Sequence, residues 1–132
     1  IYNNSLGALS CHLALLAGKE FSQAQSIIGL AAISDIEQYS LGSNDCQTAT
    51  PLFMGGTYAE QPALYDSANP KVRGVHTNTT MLHGTADNIV DIEQCSVGDA
   101  NTRIVEGAGH FDWVHPGTPA AILLLNTLEE TF

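Results

Sequence analysis

Hydrophobic and polar positions fall in blocks along the 132 residues. Residues 6–18 (LGALSCHLALLAG) are rich in Leu and Ala and close on a glycine, which predicts a buried helix with a C′ glycine. Residues 26–33 (SIIGLAAI) are apolar without alternation, the pattern of a strand covered on both faces. Residues 77–83 (TNTTMLH), ending at Gly84, predict a second strand, and 102–106 (TRIVE) a third. A short helix starts between them at 91–96. Residues 116–132 predict a closing helix, with Pro119 near its first turn and apolar residues at 122, 123, 125 and 128. Strands alternating with helices make parallel units, so the expected class is α/β, with three to four mostly parallel strands flanked by helices.

Residues 34–72 break this rhythm. They are polar and carry Gly42, Gly55, Gly56, Pro51, Pro62 and Pro70, which predicts an insertion of loops and short helices. Tyr39, Phe53, Met54, Tyr58 and Tyr65 read there as exposed apolar groups. Two octapeptides echo each other, DIEQYSLG at 35–42 and DIEQCSVG at 91–98. One such match is too short for a repeat architecture, and both segments are expected to open helices, with early acids favouring the dipole.

Composition narrows the partners. With 44% hydrophobic residues and no low-complexity tract, the chain can bury a core as one domain. The net charge of −10 leaves only Lys19, Lys71, Arg73 and Arg103 as cations. They are scattered, whereas a phosphate-tracking surface needs them clustered, which excludes nucleic acid. No apolar stretch approaches the ~20 residues of a membrane span. Cys11, Cys46 and Cys95 make an odd count without C-x-x-C spacing, which argues against zinc and redox motifs. Cys11 reads as a packed thiol, while pairing of Cys46 with Cys95 stays open. Asn3-Asn4-Ser5 and Asn78-Thr79-Thr80 match the glycosylation sequon. A start at Ile1 without methionine reads as something other than a natural translation start.

Three segments carry candidate chemistry. Asn3-Asn4-Ser5-Leu6-Gly7 stands between a strand end and the first helix. A serine at such a sharp turn has its hydroxyl pushed outward, with backbone N–H groups aimed at a developing oxyanion. Gly7 suits the close helix–strand passage, but Asn3 replaces the first glycine of G-x-S-x-G. Alone, this serine could equally be a helix cap. Asp87, in LHGTADNIV, lies just past a strand end, where open parallel sheets collect functional groups. It could orient a histidine, or simply form the Asp-Asn turn. Asp91 is the nearby rival and looks like a helix-start acid. His110, in EGAGHFDW, follows the third strand on a glycine-rich loop and completes the chain order Ser…Asp…His.

These segments together, with S-L-G-A…HLALLAG and ANP before the second strand, resemble the α/β-hydrolase superfamily, most nearly its esterase and acyl-peptidase-like branches. The resemblance runs from Ser5 to the last helix. It implies a partial α/β-hydrolase fold: residues 1–132 as the C-terminal part of the domain, with 34–72 as a cap-like insertion shaping the substrate pocket. It also implies a serine hydrolase that cleaves carboxylic esters, or amides, through an acyl-enzyme. Ser5 would be nucleophile, His110 general base and then acid, Asp87 its orienter, and the Leu6 N–H one oxyanion donor. No cofactor and no metal are implied, and the substrate would be a small ester or acyl compound.

One departure keeps other readings open. The family carries strands before the serine, including the loop with the second oxyanion donor, whose loss costs ~10²–10³ in rate in another hydrolase. Activity is therefore expected if the upstream half is supplied, by a complementing N-terminal chain for example. The alternative is a truncated or degenerate hydrolase segment kept as a non-catalytic structural or interaction module. An uncovered sheet edge would favour a homodimer. Ser10 is a rival nucleophile beside His12, inside the helix and without flanking glycines. His12 reads as a group that packs or hydrogen-bonds within the fold, His83 ends a strand beside a tight turn, His76 and His115 lack partners at metal-ligand spacing, and Phe111 and Trp113 are expected to pack beneath the histidine loop.

Overall fold

A computed structural model describes residues 15–16, 19–20 and 23–131. The serine segment, with Ser5, Leu6, Ser10, Cys11 and His12, lies outside the described residues, as does most of the predicted first helix.

Among the described residues three strands form one sheet: β1 (Ile27–Leu30), β2 (Thr79–Gly84) and β3 (Asn101–Val105), in that order and all parallel. Ile27 pairs with Thr79 and Leu30 with Leu82 on one side of β2, while Thr80 faces Asn101 and Gly84 faces Val105 on the other. The central strand is buried on both faces, as its uninterrupted Met81-Leu82-His83 run requires. Met81 packs with Leu15, Ile27, Ala32 and Val97, and Leu82 packs oppositely with Ala31, Ala108, Trp113, Ala120 and Leu124.

The strand predicted over 26–33 ends earlier, at Leu30. Ala31 there has a φ of 45°, left-handed backbone that an alanine adopts only when its surroundings over-determine it. Its N–H still bonds the Leu82 carbonyl at 2.8 Å, so the chain leaves the sheet abruptly at that point.

The insertion is helical: α1 (Ile36–Tyr39), α2 (Asp45–Met54), α3 (Pro62–Ala68) and α4 (Pro70–Arg73). A full capping box starts α2, with Asn44 accepting from the Gln47 N–H and Gln47 returning to the Asn44 N–H. Pro51 lies inside α2. The expectation of exposed apolar groups here is corrected. Tyr39, Tyr65 and Met54 are buried with Ile33, Ile36 and Val90 in a cluster of their own, whereas Phe53 is exposed. The Tyr39 hydroxyl donates to the Ile89 carbonyl at 2.9 Å and the Tyr65 hydroxyl to Gly56 at 3.1 Å, so burial leaves neither unpaired.

The closing helix α5 (Pro119–Thr131) starts three residues after the predicted 116, with Pro119 at its first position and Thr118 Oγ1 accepting from the Ala121 N–H. Its inward face differs from expectation. Ala120, Ala121, Leu124 and Thr127 are buried, while Ile122 and Leu125 are more than half exposed. The helix is apolar nearly all round at 120–125, so hydrophobicity alone cannot set its rotation. The small Ala120 packs with Leu82 of the sheet and with Trp113.

Candidate functional site

Parallel strands bring their C-terminal ends to one edge of the sheet. Residues 85–90 after β2 and 106–112 after β3 therefore meet, and the backbone stitches them together. The Thr85 N–H donates to the Val105 carbonyl at 3.1 Å, Ala86 N–H to Ala108 at 3.0 Å, and Gly107 N–H to Thr85 Oγ1 at 2.8 Å. Gly84 is what lets the loops close. A Cβ there would stand 2.1 Å from the Ala108 carbonyl oxygen, inside backbone that has no room to yield.

On this scaffold Asp87 and His110, 23 residues apart in sequence, come together. His110 Nδ1 lies 2.8 Å from Asp87 Oδ2. A carboxylate only accepts, so Nδ1 carries the proton and the far nitrogen, Nε2, is the basic one. The other oxygen, Oδ1, accepts from the Ile89 and Val90 N–H groups, each at 2.9 Å. The two sequence interpretations of Asp87 thus hold at once: one oxygen forms the turn and the other holds the histidine. The Asp87 side chain is fully buried and that of His110 nearly so. Burial works against ionisation of Asp87, but the bonds from His110 and from Val90 and Ile89 outweigh it and hold its pKa below the ordinary 3.8.

The histidine loop is braced from below. The Gly109 N–H donates to Asp112 Oδ2 at 2.9 Å, and Trp113 is buried in the core under the loop. Phe111 departs from its expected place. It is half exposed, with its ring edge-on to His110 at 5.1 Å between centroids and 90° between planes. An apolar ring therefore flanks the histidine on the surface.

Asp91, the rival acid, is not brought to a histidine among the described residues. Its carboxylate accepts from Gln47 Nε2 at 3.1 Å, at the start of a 3-10 turn (Ile92–Cys95). Cys46 and Cys95 are both free, and burial pushes the Cys95 thiol above its ordinary value, the behaviour of a packing group. Among the described residues no cluster of His, Cys, Asp and Glu is arranged to hold a metal, and no helix is long and apolar enough to cross a membrane.

Sequence reasoning missed two features of this edge. His83 is fully buried beside Asp87, and its place on an unalternating strand was the available signal. Gln94 is buried too, with its Oε1 accepting from the Ser34 and Asp35 N–H groups at 3.0 and 2.8 Å. Its side chain ties the start of the insertion to the segment after β2, and only the fold reveals this.

No protein-family model matches the chain, and no curated protein matches it. Solved structures do. A puromycin hydrolase mutant complexed with PGG superposes with a TM-score of 0.64 at 20% identity, over 90% of this chain and 19% of that one. MGS-MChE2, an alpha/beta hydrolase enzyme from the metagenome of lagoon sediments at Mar Chica, Morocco, gives 0.55 at 22% identity, over 96% of this chain and 60% of that one. The chain thus spans less than two thirds of either neighbour. At these identities the likeness speaks to architecture, and the parallel sheet with its helices is part of an α/β-hydrolase fold.

Proposed function

We propose that this chain carries the acid–base half of a serine hydrolase and, with Ser5, cleaves carboxylic esters, with amides as the second substrate class. The observation that supports it is the 2.8 Å bond from His110 Nδ1 to a buried, ionised Asp87 at the C-terminal strand edge. That bond orients the ring, leaves Nε2 as base and stabilises the imidazolium formed in the reaction. Among the described residues Nε2 has no protein partner competing for it.

The steps follow from the roles assigned. Nε2 takes the Ser5 hydroxyl proton as Oγ bonds to the substrate carbonyl carbon, and the oxyanion is met by the Leu6 N–H. Collapse breaks the bond to the leaving oxygen, which receives the proton from Nε2. Water then attacks the acyl-enzyme, its proton passing to Nε2 and back to Ser5 as the carboxylic acid leaves. The exposed Phe111 beside His110 would line the leaving-group side, and the 34–72 insertion would bound the pocket.

Reaction with a fluorophosphonate probe, read by intact mass, tests this. A single phosphonyl adduct is expected, absent in Ser5→Ala and formed far more slowly in Asp87→Asn. A folded chain that never takes the probe would overturn the proposal in favour of a non-catalytic module.

A further inference from the structure

His83 is the last residue but one of β2, with a side chain wholly shut from solvent. Its Nε2 lies 2.8 Å from the Val90 carbonyl oxygen. A carbonyl only accepts, so Nε2 must carry the hydrogen and the ring is the Nε2–H tautomer. Nδ1 is then a bare acceptor, buried and without a partner among the described residues. Leaving a buried ring nitrogen unpaired is costly, so the surrounding structure gains something from a histidine there.

The gain is legible in what Val90 does. Its carbonyl is held by His83, while its N–H, with that of Ile89, is held by Asp87 Oδ1. Val90 is thereby clamped at both ends of its backbone and is itself fully buried. With Oδ1 committed, Oδ2 is left pointing at His110, and His83 Nε2 stands 3.8 Å from that same Oδ2. The chain His83–Val90–Asp87–His110 runs from a rigid strand to the reactive ring.

We propose that His83 is a positioning residue for the Asp87–His110 pair: it anchors the 87–90 turn to β2 and so fixes the direction of Asp87 Oδ2. The proposal rests on the acid–base role assigned to that pair above. It assigns His83 no contact with substrate. It also explains why a histidine serves here, since an aliphatic side chain of similar size would leave the Val90 carbonyl unpaired in the core.

Nuclear magnetic resonance on the full chain tests it without turnover. A long-range nitrogen–proton spectrum of the unsubstituted protein should show His83 as the Nε2–H tautomer; the Nδ1–H tautomer would overturn the proposal, with no variant needed. His83→Leu should move the His110 titration toward that of Asp87→Asn, whereas His83→Gln, whose amide can donate to Val90, should restore it. A folded His83→Leu whose His110 titrates as in the parent would also overturn it. In ester hydrolysis His83→Leu should lower kcat by about 10–100-fold with KM unchanged, the mark of a misplaced catalytic group. A chain that takes no fluorophosphonate but shows the ring shifts would overturn the hydrolase proposal alone and leave the positioning role standing.

Discussion

Two buried carboxylates at the same sheet edge hold different kinds of partner. Asp35 follows β1 and Asp87 follows β2, and both are held below the ordinary 3.8. For each, burial opposes ionisation and hydrogen bonds outweigh it. Asp35 is bonded by Lys71 Nζ at 2.7 Å, Asn69 Nδ2 at 3.0 Å and the Gln38 N–H at 3.3 Å. Asn69 turns back through its Oδ1, which accepts from the Lys71 N–H at 3.2 Å, and the lysine side chain is mostly in solvent. Asp87 instead holds an imidazole, whose second nitrogen lies across the ring from the bond. A depressed carboxyl pKa therefore does not by itself mark a reacting site. What matters is whether the partner has a second atom that the ion pair can tune.

Asparagine in place of each acid should separate the two uses most sharply. Asp87→Asn is expected to cut ester hydrolysis by about 10⁴-fold, because the ring loses its orienting acceptor. Asp35→Asn should leave the rate within about threefold, since its carboxylate bonds Lys71, Asn69 and Gln38 and shares no partner with Asp87 or His110. Equal losses in both would erase the distinction. Gly84→Ala should damage the Asp87 corner through packing, by about 3 kcal/mol in urea unfolding, with activity lost as the two loops part. The Asp35 corner is coupled to the body by Gln94. Gln94→Ala, which strands the Ser34 and Asp35 N–H groups, should cost about 2 kcal/mol. Gln38→Ala on the exposed twin position should stay within about 0.5 kcal/mol.

Acid provides a smaller effect with a definite sign. Both folded pKa values lie below 3.8, so both carboxylates stabilise fully above the unfolded value. That stabilisation fades as pH falls through the folded values. Urea midpoints should therefore drop below about pH 4, and Asp35→Asn should flatten its share of the drop while leaving the remainder to Asp87. The smallest effect belongs to Ala31. Relief of its left-handed backbone in Ala31→Gly is offset by lost methyl burial and a freer unfolded chain, so stability should shift by less than about 1 kcal/mol. A larger gain would show that the strain, rather than the polar clasp, limits the Asp35 corner.

The fluorophosphonate, variant and resonance experiments together address a site whose halves were unequally legible. Asp87 and His110 could be found because each follows a β-prone run, and parallel strands deliver such residues to one edge. Strand ends left Asp87 open between orienting a histidine and forming a turn, and the family resemblance pointed to the first. His83 was harder to see, since a histidine within a buried strand looks the same whether it packs idly or anchors a turn. Phe111 was misjudged because two aromatics on a short loop cannot both go under it, and sequence does not say which one does.

Local sequence marked out the three strand regions, their parallel class, an insertion of loops and short helices, and a closing helix with Pro119 near its start. These depend on neighbours along the chain, which are always present. Tertiary structure alone decided the fates of the two DIEQ segments. At 35–38 the aspartate accepts from the Gln38 N–H and an α-helix follows, whereas at 91–94 the aspartate is taken by Gln47 and the turn tightens to 3-10. Gln38 is exposed and Gln94 is buried against the first segment. Identical tetrapeptides have identical propensities, so the difference lies in which distant donor reaches the carboxylate. The same holds for the rotation of α5 and the burial of Tyr39 and Tyr65: where a segment offers apolar groups on every side, the surface it meets chooses the buried face.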